Sequence, residues 1–242
     1  RWKHSVFHHA WVNIQDHDAD IDLGRIARLG PFQPRLWVQR WQHWYIWFLY
    51  GIMVVRWQLY GDFRDLIAGN VGTPQPFPRP RGWDLFVLFA GKAVFLALAF
   101  GIPLFFHSFW VVAAFYVMSM AVVGVILAVV FQLAHCVEEA EFLPAPDASG
   151  EVASAWAIHQ IESSVDFARG NRVMAWLLGG LNFQVEHHLF PRICHVHYPA
   201  LSKLVEQTCA EFGVRYREHR SFVAGVLSHF RWLRRMGQPT PA

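Results

Sequence analysis

Asn182-Phe183-Gln184-Val185-Glu186-His187-His188-Leu189-Phe190-Pro191 is the stretch whose reading decides the rest of the chain. Wound as a helix, it places Gln184, His187 and His188 at i, i+3 and i+4, so an amide and two imidazoles share one face. A second cluster opens the chain, where His4-Ser5-Val6-Phe7-His8-His9 sets two imidazoles at i, i+4 and a third beside them. Neutral imidazole is the common nitrogen ligand of iron, zinc, copper and nickel, and its reference pKa of about 6.5 leaves most rings free to bind near neutral pH. Lone histidines such as His43, His107, His219 and His229 read more simply as hydrogen-bonded core residues. Two adjacent pairs, each preceded at helical spacing by another ligand-capable side chain, read as metal ligands brought together by the fold.

The composition sets the surroundings of such a site. Hydrophobic residues make up 54% of 242 residues and charged ones only 16%, which points away from an ordinary water-soluble domain. Twelve Trp and 21 Phe suit the aromatic belts of a membrane protein. The net charge of +3 is modest, and its basic residues gather late in the chain at Arg215, Arg217, Arg220, Arg231, Arg234 and Arg235, which suits anionic headgroups or a phosphate-bearing substrate handle. No motif for nucleic-acid recognition accompanies them. Cys136, Cys194 and Cys209 form neither a zinc-type pair nor an even disulfide set, so reduced thiols are expected.

Leu85 to Phe106 and Ser108 to Ala134 are apolar runs, each long enough to cross a hydrocarbon core of about 30 Å at 1.5 Å per residue. Only His107 separates them, which predicts a tight transmembrane hairpin over about 85–134. Lys92 interrupts the first run and is expected to snorkel, or else to lie in a polar pocket. The turn carries no Lys or Arg whereas both open ends lead into Arg-containing segments, so the ends are placed in the cytosol. Trp41 to Tyr60 is densely aromatic but contains His43 and Arg56, which predicts an interfacial helix over about 41–60. For the opening and closing histidine clusters to meet, an even number of crossings must separate them; the hairpin supplies two, and a third crossing by residues 41–60 would part them. Asn70 to Gly82, with four prolines, reads as a linker, Pro144 to Glu151 as a loop, and Leu201 to Phe212 as an amphipathic helix stopped by Gly213.

Further candidates surround the clusters. His135, at the mouth of the second run, is a ligand presented by a membrane helix or an interfacial histidine without metal. Asp18 and Asp20 lie in an alternating acidic tail that lacks the Gly and closing Glu of a calcium loop; they either accept the far N–H of a ligand imidazole or are simply solvated. His159, Glu138 and Asp166 are placed behind His135, as partners of ligand rings or additional ligands.

With these pieces in view, the sequence resembles the membrane fatty acyl desaturases, and among them the front-end group that includes linoleoyl-CoA desaturase-like proteins. The matching pieces are Trp2-Lys3-His4 through His8-His9 with the Asn13 to Ile21 tail, Phe131-Gln132-Leu133-Ala134-His135 with Glu138-Glu139, His159-Gln160, and Gly179-Gly180-Leu181-Asn182 through Pro191, followed by His197-Tyr198. The resemblance implies an all-α integral membrane domain, a single desaturase domain over 1–242, with a transmembrane hairpin, interfacial helices and a multi-pass topology that keeps a histidine-box cap on the cytosolic face. It implies two non-haem irons, with His4, His8 and His9 as the second box, Gln184, His187 and His188 as the third, and His135 as an extra ligand. The first box has no match and is expected before Arg1, so that the piece alone is expected to be inactive. The implied reaction removes hydrogen from two adjacent carbons with O2 as co-substrate, giving a cis double bond and water. Implied partners are a fatty acyl substrate linked to CoA, carrier protein or phospholipid, and a ferredoxin or b-type cytochrome as electron donor. Unactivated C–H bonds demand a stronger oxidant than any side chain, which agrees with imidazole-held iron.

Two other readings use the same residues. A lipid or alkane hydroxylase of the same diiron class differs in giving a hydroxyl where the desaturase gives a double bond. A non-catalytic His-rich membrane metal protein, such as a transporter, would carry ionisable residues inside several spans, whereas the clusters here lie outside the apolar runs.

Overall fold

The structure is a computed structural model and describes residues 2–72, 78–146 and 154–239. The expected linker Asn70 to Gly82 and loop Pro144 to Glu151 lie partly outside the described residues. Contacts divide the chain into two units, one of Arg1–Ile46, Gly72–Gln75 and Val129–Ala242 and the other of Trp47–Val71 and Pro76–Ala128.

The first unit begins with α1, wound as a π-helix over Trp2–His8 and as an α-helix over His9–Trp11. A turn closed by i→i+5 bonds holds more residues than an α-turn, so His8 and His9 fall on either side of the line through His4. In an ordinary α-helix His9 would be turned away. The chain then reverses through Asn13 and Asp16, both in the left-handed region at φ 54° and 63°, a conformation that short polar side chains tolerate best. Later in the chain come α6 (Trp156–Glu162), α7 (Arg172–Leu177), α8 (Gln184–Leu189), α9 (Tyr198–Glu211) and α10 (Phe222–Met236). The helix expected from Leu201 starts at Tyr198 because Pro199 sits in the first turn, where a missing N–H does no harm.

Helices do not account for everything. A two-residue parallel ladder pairs β1 (Asp166–Phe167) with β2 (Glu218–His219) in what is otherwise the expected all-α domain. Its service is positional, since Phe167 N–H also reaches the Asn182 carbonyl just ahead of α8. The unit's core is made by Val12, Ile14, Leu29, Leu133, Val137, Val165, Phe167, Phe183, Val185 and Leu233, all fully or almost fully buried. Gly180 passes so close to His195 that a Cβ there would lie 2.7 Å from the His195 Cβ, and its φ of +78° suits glycine.

One continuous run holds a 3-10 turn (Trp37–Trp41), α2 (Gln42–Arg56), a π-turn (Trp57–Gly61) and α3 (Asp62–Ala68), and stops at Gly69 in the left-handed region; it belongs to the first unit up to Ile46 and to the second from Trp47 on. The helix expected to end at Tyr60 therefore continues for two more turns, because no proline or left-handed glycine intervenes before Gly69. Among the described residues two helices are long and apolar enough to cross a bilayer, α4 (Trp83–Leu104, 22 residues) and α5 (Phe109–His135, 27 residues). No residue of Trp83–Leu96 is buried, and Phe115 and Met118 of α5 are both more than half exposed. Large apolar faces without a protein partner are what lipid covers. Lys92 does not snorkel: it donates to the Gln58 carbonyl at 2.8 Å and pairs with Asp62 at 2.5 Å. Gly51, Ala121 and Gly124 let α2 and α5 approach backbone to backbone, and a Cβ on Gly124 would fall against the Tyr50 carbonyl oxygen.

Candidate metal centre

Six histidines from three segments meet in the first unit. His4, His8 and His9 come from α1, His135 from the last turn of α5, and His187 and His188 from α8; their ligand atoms form two groups, His8–His135–His188 and His4–His9–His187, each within 4.8 Å. Neighbouring rings lie 4.3–6.2 Å apart between centroids, with His9 stacked on His188 at 4.3 Å and His8 edge-on to His135 at 4.8 Å.

Hydrogen bonding fixes which nitrogen each ring of the buried group offers. His8 Nδ1 lies 3.0 Å from both Asp18 carboxylate oxygens, His135 Nδ1 lies 3.1 Å from the Ser163 carbonyl, and His188 Nδ1 lies 3.1 Å from the Gln160 side-chain oxygen. Each of those partners accepts, so each Nδ1 carries the proton and donates it. The three Nε2 atoms are left as lone pairs directed at one another, with His135 and His188 Nε2 only 3.1 Å apart. Two bare nitrogens at that separation repel, unless a proton or cation lies between them. Metal–imidazole bonds of about 2.0–2.1 Å let one ion reach both. The donor set thus fits a nitrogen-binding transition metal.

The second group is less enclosed. Tyr198 Oη approaches His187 Nδ1 at 3.5 Å, while His187 Nε2 and His9 Nδ1 are buried with no hydrogen-bond partner among the described residues. Unpartnered buried nitrogens are uncommon and call for an explanation such as an ion. Burial, followed by the neighbouring rings' charges, lowers His9 to about 3 and His187 to about 4, and holds His188 well below its ordinary value. Those rings are neutral at pH 7, the form that binds metal. His8 is the exception. Burial disfavours its charge, but Asp18 and then Asp20 outweigh it and raise the pKa.

A supporting layer holds these rings. Asn13 N–H donates to Asp18 at 2.9 Å, and its side-chain amide donates to the His135 carbonyl at 2.9 Å and the Glu141 carbonyl at 3.1 Å. The left-handed Asn13 therefore ties α1 to the end of α5. Beneath α8, Asp166 accepts Val185 N–H at 2.9 Å, and Tyr216 Oη reaches Asp166 at 2.5 Å and Glu186 at 2.9 Å. One hydroxyl proton cannot serve two carboxylates. Burial first, and for Glu186 the adjacent Asp166 charge next, raises both carboxyl pKa values, so the trio retains a proton.

The remaining candidates stand outside the two three-histidine groups, though Asp20 forms a third group with His4 and His8, their ligand atoms also within 4.8 Å of one another. Gln184 is buried, but its amide donates to the Leu181 carbonyl at 2.7 Å. His159 is buried with Nε2 unpartnered and belongs to neither group of three. Asp20 faces His4 at 3.6 Å, His8 at 3.7 Å and Lys3 at 3.2 Å. Glu138 faces Arg231 and Arg235, each at 2.6 Å, and pairs with no histidine among the described residues. Asp166 serves the backbone of α8 and not a ring. Gln160, Asn13 and Tyr216 are residues to which the sequence gives no role. Of these only Gln160 carries a local signal, as the neighbour of His159 on a helix that lies against α8.

The description "Fatty acid desaturase" matches residues 1–220 of the chain. The chain is 36% identical over 245 residues to the sn-1 linoleoyl-lipid 6-desaturase of Arthrospira platensis, covering 98% of this chain and 64% of that protein. It is 36% identical to the protein of the same description from Synechocystis sp., covering 66% of it, and 35% identical to the acyl-lipid (8-3)-desaturase of Physcomitrium patens, covering 50%. It thus spans between half and two thirds of the length of these curated relatives. No solved structure matches it. With the match running from before the first clustered histidine to beyond the last, the chain belongs to the fatty acid desaturase family.

Proposed function

We propose that the chain is the metal-binding part of an O2-dependent fatty acyl desaturase of the front-end type, holding two non-haem irons. His8, His135 and His188 bind one ion and His4, His9 and His187 the other. The observation that carries this reading is the pair of three-nitrogen groups side by side, one of them with all three lone pairs aimed inward. Bound iron would supply, with O2, two electrons from a donor and two protons from solvent, the oxidising power to take one hydrogen from each of two adjacent methylenes, leaving a cis double bond and two waters.

The protein's own residues prepare that chemistry. Asp18, the Ser163 carbonyl and Gln160 hold the Nδ1 protons, so the rings offer Nε2 without first losing a proton. His8, His9, His135 and His188 are themselves almost wholly buried, which limits the access of water to the rings. The relatives' descriptions name lipid-linked acyl substrates, which favours an acyl chain carried on a lipid. In this reading α4 and α5 cross the membrane as a hairpin and the histidines face the cytosol, where a ferredoxin or b-type cytochrome delivers electrons. Expression of the whole protein in a lipid-rich host, with analysis of fatty acid methyl esters, tests the reading. A new cis double bond that disappears with His188→Ala supports it; a hydroxylated product, or an unchanged profile with iron bound, overturns it.

A further inference from the structure

A second site lies away from the histidines, in a cleft of about 650 Å³ where the 3-10 turn and first turn of α2 face the end of α10. None of the six clustered histidines lines it. Arg35, Arg40 and Arg234 do, together with Trp37, Trp41 and Trp44. We propose that this cleft binds the phosphate of an anionic phospholipid at the bilayer surface.

Charge is the first argument. All three arginines are exposed, and none has a carboxylate within salt-bridge distance among the described residues. The contrast within α10 is informative: Arg231 and Arg235 are both taken up by Glu138, whereas Arg234, between them in sequence, turns into the cleft. Arg35 spends one N–H on the Gly237 carbonyl at 2.9 Å, which anchors its stem and leaves the rest of the guanidinium to donate. Converging guanidiniums without a counter-ion suit a phosphate, which accepts from several of them at once.

The aromatic residues decide which phosphate. Trp37, Trp41 and Trp44 are 76%, 53% and 64% exposed, and all three line the cleft. Arg40 lies over the Trp41 ring at 4.9 Å, and Trp44 packs edge-on to Phe230 at 5.1 Å. Indoles interleaved with arginine are the side chains found at headgroup level, where the ring meets glycerol and upper acyl carbons while the cation meets phosphate. A free anion would use the arginines and leave the indoles in water. A phospholipid uses both, and the chain already carries two helices apolar enough to lie among lipids.

The test is native mass spectrometry of the detergent-solubilised chain given an equimolar mixture of phosphatidylglycerol and phosphatidylcholine. The proposal requires phosphatidylglycerol to be retained by at least ~5-fold, the factor one surface arginine confers. The preference should vanish in Arg40→Gln/Arg234→Gln and persist in Arg40→Lys/Arg234→Lys, which keeps the charge. Trp41→Ala should weaken both lipids. Equal retention of the two lipids, or a preference that survives the glutamine double variant, overturns the proposal. So does full displacement of the lipid by millimolar inorganic phosphate, which would make this a plain anion site. Should the double variant fail to fold by circular dichroism, Arg234→Gln alone carries the comparison. Iron content is measured alongside; none of the six clustered histidines lines the cleft, so its outcome separates this proposal from the desaturase reading.

Discussion

Asp18 illustrates how one carboxylate can settle the chemistry of a ring. Its two oxygens accept from His8 Nδ1, from Asn13 N–H and from Asp20 N–H, which leaves it no freedom to turn away. Replacing it with Asn keeps the shape but weakens the acceptor and permits the wrong His8 tautomer. Asp18→Asn should lower metal affinity by about 10–100-fold, measured by competition with a chelator, while His188→Ala removes a ligand outright. The sequence leaves two roles open for Asp18, because an alternating acidic run says nothing about which ring lies opposite. Tyr216 is more opaque still. It lies 50 residues from Asp166 and 30 from Glu186, and no local pattern links them. Tyr216→Phe strips the only side-chain hydroxyl between two buried carboxyls and should destabilise the fold by about 1–3 kcal/mol in denaturant melts. Adding Glu186→Gln to that variant should recover part of the loss, since it removes one of the two facing acids.

Elements follow from the sequence to different depths. The apolar runs that became α4 and α5 are legible within a few residues, because length and hydropathy alone define them. The π-winding of α1 is not, since spacing in His4-Ser5-Val6-Phe7-His8-His9 does not distinguish an α-turn from a wider one. Nor does composition show that the run beginning at Trp37 continues to Ala68, or that Lys92 finds Asp62 across the second unit. The α2–α5 crossing depends on Gly124, where any side chain would meet backbone and not a movable side chain. Gly124→Val should force the two helices apart and lower the thermal midpoint in detergent, whereas Gly91→Val, at an α4 position with nothing within 4 Å of a Cβ, should leave it almost unchanged.

For the molecule as a whole, buried neutral histidines make stability depend on acid. His229 is completely buried, donates Nδ1–H to the Cys136 carbonyl at 2.6 Å, and has its pKa lowered by burial from 6.5 to about 4. The unfolded chain therefore binds a proton here that the folded chain refuses, so this contribution is intact above pH 6.5 and is lost as pH falls toward 4. At about 1.4 kcal/mol per pKa unit the loss approaches 3 kcal/mol. His229→Asn keeps a donor to the same carbonyl but cannot titrate, and should flatten the fall in unfolding free energy between pH 6.5 and 4. The inward-aimed Nε2 lone pairs of His8, His135 and His188 carry a different consequence. Because three fixed acceptors hold their Nδ1 protons, the scaffold is ready for any borderline cation that favours nitrogen, and iron(II) is not the strongest binder of that class. Zinc outcompetes it at equal availability, so the supply of metal during synthesis, and not the pocket's own preference, governs whether a given molecule is born redox-active or inert.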